Sequence, residues 1–106
     1  MIREKFMFEL VCRYDSRKTF YGKAEVIEFE DESKALRSYS TIVACITPDG
    51  KPHVRGDYSQ TTTRHIKEFL KQAGFRADSK QQYLKDYFDK EFSWEEFMSD
   101  RGLYIN

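Results

Sequence analysis

The sequence predicts an α+β fold: a four-stranded antiparallel β-meander followed by two to three C-terminal α-helices. Three observations predict it. Apolar residues alternate with period two early in the chain, the period changes to the helical one after Tyr58, and turn-forming residues punctuate the first half. With 106 residues the chain fits one domain, strand-rich over 1–58 and helical over 59–106.

The first strand is expected over Phe6–Tyr14, with Phe6, Phe8, Leu10, Cys12 and Tyr14 on one face and Met7, Glu9, Val11 and Arg13 on the other. Asp15-Ser16-Arg17-Lys18 reads as a turn. A second strand is expected over Phe20–Glu30. Its apolar parity switches between Val26 and Ile27, which a β-bulge near Val26 would explain. Glu30–Lys34 reads as a polar connection. Ser38–Thr47 is the clearest strand, apolar on both faces and therefore central. Thr47-Pro48-Asp49-Gly50-Lys51 is a turn, and His53–Tyr58 returns as the fourth strand, with Pro52 marking it as an edge.

Ile66, Phe69, Leu70 and Ala73 then fall at i, i+3, i+4 and i+7, the stripe of an amphipathic helix that Gly74 ends. Ser79 with Gln82 opens a second helix, whose stripe is Leu84, Tyr87 and Phe88 with Tyr83 beside it. Ser93 with Glu96 opens a third, with Phe92 and Phe97 placed for a hydrophobic staple.

Composition excludes some functions. Eighteen basic and eighteen acidic residues cancel, so the chain is not a bulk polyanion binder. Charge is segregated, however. Arg13, Arg17, Lys18 and Lys23 are followed by the acidic stretch Glu25–Glu32; Arg64, Lys67, Lys71 and Arg76 are followed by an acidic end, Asp86–Asp100, that includes Glu95 and Glu96. Cys12 and Cys45 sit in apolar runs as expected reduced thiols, no apolar stretch reaches membrane-spanning length, and no signal peptide is evident. A cytoplasmic, disulfide-free protein is the expectation. His53, His65 and the cysteines show no metal-ligand spacing, and no phosphate-cradling glycine loop or nucleophile elbow occurs. No cofactor, metal or catalytic residue is expected.

Two stretches stand out. Ser59-Gln60-Thr61-Thr62-Thr63-Arg64-His65 concentrates hydroxyls and cationic groups at a helix start. It reads either as an anion site or as a simple cap by Thr61 or Thr62. Along the same helix Arg64, Lys67 and Lys71 make a basic face, although Arg64 also has Glu68 at i+4 for an ion pair. Ser16–Lys23 interleaves Arg17, Lys18 and Lys23 with Phe20 and Tyr21. That pattern suits either a nucleic-acid grip or a hairpin feeding an aromatic strand.

Ser16–Ala24, Ser38–Ala44 and Tyr58–Leu70 together resemble a family of small proteins of unknown function from phages, plasmids and integrative elements of Gram-positive bacteria, over roughly residues 6–75. The resemblance implies a mobile-element setting and a non-enzymatic binding protein. It further implies an anti-CRISPR inhibitor that binds a type II effector nuclease or blocks guide-RNA loading. Under that implication Gly22, Ala44 and Phe69 are scaffold, while Arg17, Lys18, Arg64 and His65 are contact surface. The alternative is a nucleic-acid-binding module using Arg17, Lys18, Arg64, Lys67 and Lys71. A metal-dependent nuclease is a third reading.

Overall fold

The computed structural model describes residues 1–103, and it shows a five-stranded antiparallel sheet followed by three helices. The strands are β1 (Glu4–Glu9), β2 (Ala24–Phe29), β3 (Lys34–Ser38), β4 (Thr41–Ile46) and β5 (Pro52–Val54), paired in sequence order. The helices are α1 (Gln60–Gln72), α2 (Lys80–Tyr87) and α3 (Trp94–Asp100).

The fifth strand is β3, which corrects the expected four. The polar connection is only a tight turn: Asp31 accepts from the Ser33 N–H at 3.0 Å, and the Glu32 N–H closes on Phe29 O at 3.1 Å. Strand pairing therefore resumes at Lys34. The strand escapes a period-two reading because its adjacent residues Ala35 and Leu36 are both buried.

That two-sided burial also removes the expected bulge at Val26. The β1–β2 and β2–β3 registers run unbroken through Val26; the irregularities fall at Lys5 in β1 and Val43 in β4. Val26 belongs to one core and Ile27 and Phe29 to another, because both faces of the sheet are covered. On one face Leu10, Val26, Leu36, Ala44 and Val54 pack with Ile66, Phe69 and Leu70 of α1 and Tyr83 of α2. On the other face Ile27, Phe29, Ala35, Ile42 and Cys45 pack with Phe97 and Met98 of α3. A strand buried on both sides shows mixed parity without needing an inserted residue.

The first strand is shorter than the alternation suggests. Its last rung is the Leu10 N–H to Ala24 O bond, 2.9 Å, after which residues 11–23 form a long loop over the α1 face. The second strand accordingly starts at Ala24 rather than Phe20. The last strand runs Pro52–Val54, so only His53 and Val54 of the expected His53–Tyr58 are in it, and it does lie at the sheet edge.

Serines cap all three helices. Ser59 Oγ accepts from the Thr62 N–H, Ser79 Oγ from Gln82 and Ser93 Oγ from Glu96. The cap of α1 is thus Ser59, not Thr61 or Thr62. The Gln82 side chain accepts from the Asp78 N–H, one residue beyond the reciprocal position of a capping box. Phe92 and Phe97 lie 6.0 Å apart, as the staple requires. Gly74, at φ +89°, follows α1 with the left-handed turn that glycine adopts without strain. In α2 the anchor is Tyr83, fully buried, whereas Phe88 of the expected stripe is exposed.

Candidate nucleic-acid interface

The long β1–β2 loop is fastened to α1 by a single carboxylate. Glu68 is 1% exposed. Its Oε1 accepts from the backbone N–H groups of Tyr14 and Asp15, both at 2.9 Å, and its Oε2 accepts from Gln72 Nε2 at 2.6 Å. Gln72 also donates to Val11 O at 2.6 Å. Asp15 in turn accepts from the Arg17 N–H at 2.9 Å and stands 3.7 Å from Arg64 Nε. The expected Arg64–Glu68 ion pair is therefore replaced: Glu68 turns inward to hold the loop, and Arg64 pairs with Asp15. Burying the carboxylate against peptide N–H donors satisfies it better than a surface ion pair on one helix would.

Between loop and helix lies a cleft of about 210 Å³, lined by Tyr14, Asp15, Ser16, Arg64, Lys67, Glu68 and Lys71. The predicted basic face thus forms one wall. The carboxylates of the cleft are already engaged. Lys67 and Lys71 take part in no ion pair among the described residues. Tyr14, which lines the same cleft, is 60% exposed. Arg17, Lys18, Tyr21 and Lys23 are exposed further along the same loop and do not line the cleft. Tyr21 and Tyr39 are both exposed and both hold positive φ, 55° and 57°, and the Tyr39 N–H donates to Lys23 O at 2.7 Å. That bond joins the loop to the β3–β4 hairpin.

Thr62 and His65 lie elsewhere. His65 is 1% exposed, which corrects its expected place on the surface. Its Nδ1 is 2.7 Å from Ser38 Oγ, which is 2.9 Å from Thr62 Oγ1, and its ring packs edge-on against Phe20 at 4.6 Å. Burial lowers its pKa, against the opposing pull of Asp15, so the imidazole is neutral at pH 7. The Ser38–His65 contact looks like a nucleophile and its base, yet Ser38 is 2% exposed and out of reach of a substrate. It anchors the end of β3 to α1. Glu95 and Glu96 stand exposed on α3, across the sheet from the basic cleft.

Sequence reasoning missed Tyr14, Asp15 and Glu68. Glu68 carried a signal: Thr62, His65, Glu68 and Gln72 run at helical spacing along the flank of the apolar stripe, a position that a partner can bury. Among the described residues no group of three or more His, Cys, Asp or Glu is placed to hold a metal ion. No helix among them is long and apolar enough to cross a membrane.

No curated protein and no solved structure matches this chain. Residues 8–85, which take in the sheet from the end of β1, the fastened loop, α1 and most of α2, match a known family, and the chain therefore belongs to a family of unknown function, DUF8033.

Proposed function

We propose that the protein is a non-enzymatic binding module that takes the phosphate backbone of a single-stranded nucleic acid in the cleft between the β1–β2 loop and α1. The observation that carries this reading is that Lys67 and Lys71 line a cleft whose own carboxylates are engaged by the loop and by Arg64. Such ammonium groups are free to neutralise phosphates, and the exposed Tyr14 at the cleft, with Tyr21 further along the same loop, would supply rings for base stacking. Arg17, Lys18 and Lys23 extend the cationic track along the loop.

Fluorescence anisotropy with a labelled single-stranded RNA and its DNA equivalent tests this. Binding is expected to weaken with salt, and replacing Lys67 and Lys71 together by Ala to reduce the salt slope by roughly 1.4, two phosphate contacts at about 0.7 each. Absence of binding at low salt, or wild-type binding by the double variant, refutes it.

A second, protein-facing reading is favoured by the exposed Glu95 and Glu96 on the opposite face. In the mobile-element setting, those carboxylates would engage the basic guide-RNA groove of a type II CRISPR effector and keep the guide out. Reversing both charges is expected to abolish co-purification with the effector while sparing oligonucleotide binding. Unchanged co-purification excludes this second reading.

A further inference from the structure

β1 is an edge strand with an unusual surface. All six of its residues are exposed, among them Phe6 at 56%, Met7 at 49% and Phe8 at 46%. Open edges normally carry charge, proline or a covering segment, because an apolar edge templates pairing with another chain. Here no element among the described residues buries either face of the strand. Phe6 and Phe8 extend the α1 face beyond the helix, and Met7 lies on the opposite face, where its Sδ accepts from Arg37.

The free backbone groups can be assigned. Leu10 N–H donates to Ala24 O, so in the unbroken register Phe8–Val26 and Phe6–Glu28 are the other hydrogen-bonded pairs. The N–H and C=O of Met7 and Glu9 therefore point away from the sheet. Lys5 is the extra residue of the β1 irregularity and is not held by the β2 ladder.

We propose that β1 pairs antiparallel with β1 of a second copy of this chain, about a two-fold axis at Met7, to make a ten-stranded sheet. The argument for a second copy is self-complementarity. With Met7 opposite Met7, the outward groups of the two strands meet, Phe6 faces Phe8 twice, and Lys5 faces Glu9 twice. Aromatic and opposite-charge pairs are the favourable cross-strand combinations. Sliding the partner by two residues sets Met7 against Glu9 and Lys5 against Val11, and sliding it by four sets Glu9 against Glu9. Sliding it the other way requires the Arg3 carbonyl, which Glu30 N–H already holds at 2.9 Å. Only the Met7-centred register satisfies shape and charge together.

Sedimentation equilibrium on the full chain tests this. The wild type should approach twice the 12.7 kDa of one chain and dissociate on dilution. Lys5→Glu and Glu9→Lys alone should each raise the dimer dissociation constant about tenfold or more by opposing like charges at both ends. An equimolar mixture of the two should restore the dimer, as should the double variant. Circular dichroism reports whether each variant folds, since Glu9 Oε1 also accepts from the Gly22 N–H at 2.8 Å. Independently of those charges, Met7→Cys in a Cys12→Ser background should oxidise to a disulfide-linked dimer, while Glu4→Cys should not. A wild type monomeric at millimolar concentration, a mixture that stays monomeric, or equal cross-linking at both positions overturns the proposal. Each readout is a mass, so failure here is separate from failure of nucleic-acid binding.

Discussion

Replacing Glu68 by Ala should loosen the β1–β2 loop without unfolding the sheet. The side chain accepts three hydrogen bonds, from Tyr14 N–H, Asp15 N–H and Gln72 Nε2. Bonds to a charged acceptor contribute about 1.5–3 kcal/mol each when the donor is left buried without a partner. Tyr14 is exposed and Asp15 half-buried, so water can reach their N–H groups once the carboxylate is gone. The lower end therefore applies to those two bonds, and Gln72 keeps its bond to Val11 O. The expected loss is about 3 kcal/mol, a large share of the stability of a domain this size. Urea denaturation followed by tryptophan fluorescence gives the free energy. Native-state hydrogen exchange should show the Tyr14 and Asp15 amides losing protection while β2–β4 keep theirs. Glu68→Gln, which retains an acceptor oxygen, should lose about half as much. If Glu68→Ala unfolds within about 0.5 kcal/mol of wild type, a range typical of neutral surface substitutions, the loop is not held by this carboxylate.

Asp31→Ala strips the Arg101 guanidinium of its ionic partner while that side chain is only 5% exposed. Ser33 Oγ, Phe97 O and the ring of Phe97 at 3.9 Å remain, so the expected loss is about 2–3 kcal/mol, read as a drop in Tm. The same pair sets an acid limit. Burial alone would raise the Asp31 pKa, but the Ser33 hydroxyl and N–H together with Arg101 hold it below the usual value. Its stabilisation is therefore present above the ordinary aspartate range near 3.8 and disappears as pH falls through the depressed folded value. Asp31→Asn should flatten that part of a stability–pH profile. Burial lowers the pKa of His65, so protonation favours the unfolded chain and stability falls as pH drops below 6.5; His65→Gln should reduce this loss, measured by urea titration at pH 7 and pH 5. Cys45 is buried and its thiol is pushed far up by desolvation, whereas Cys12 is half-buried with a smaller rise. A chromogenic thiol reagent at pH 8 should modify Cys12 first and Cys45 only on unfolding.

The sequence carries the local features of this fold more openly than its layering. Helix starts are legible because a cap is a contact between neighbours: Ser79 and Ser93 bond to N–H groups three residues on. Strand number is less legible because β3 is buried on both faces, so Ala35 and Leu36 erase the alternation by which a half-exposed strand is recognised. The parity switch at Val26–Ile27 is real, but its cause is α3 on the far face, and nothing near those residues encodes a helix seventy positions away. The candidate site divides the same way. Arg64, Lys67 and Lys71 share a face by helical spacing alone. His65 obeys that spacing too, yet its burial depends on Phe20 and Ser38 arriving from distant strands. Glu68 sits beside the stripe as a plausible partner for Arg64; only the return of the Tyr14–Asp15 backbone shows why it points inward.

The open edge and the basic cleft bear on one another through symmetry. A two-fold axis between antiparallel strands stands perpendicular to the sheet, so each face of one copy continues into the same face of the other. Both α1 helices would then rise from one side, with the four rings of Phe6 and Phe8 between them. Because α1 packs over β3, the two helices would be separated by five strand spacings, about 24 Å at 4.8 Å each. That is on the order of seven nucleotide steps of a stacked single strand at about 3.4 Å each. Two weak clefts at that separation bind a long strand far more tightly than either binds a short one, because the second contact becomes intramolecular. The zero net charge of the chain is then no obstacle. What matters is the local charge on one face, doubled by pairing, while the acidic Glu95 and Glu96 lie on the other. The arrangement would give the apolar β1 edge a reason to exist that its own stability does not: an exposed Phe-Met-Phe strand adds little to a folded monomer, and in the proposed dimer it would set the spacing of the two proposed binding clefts.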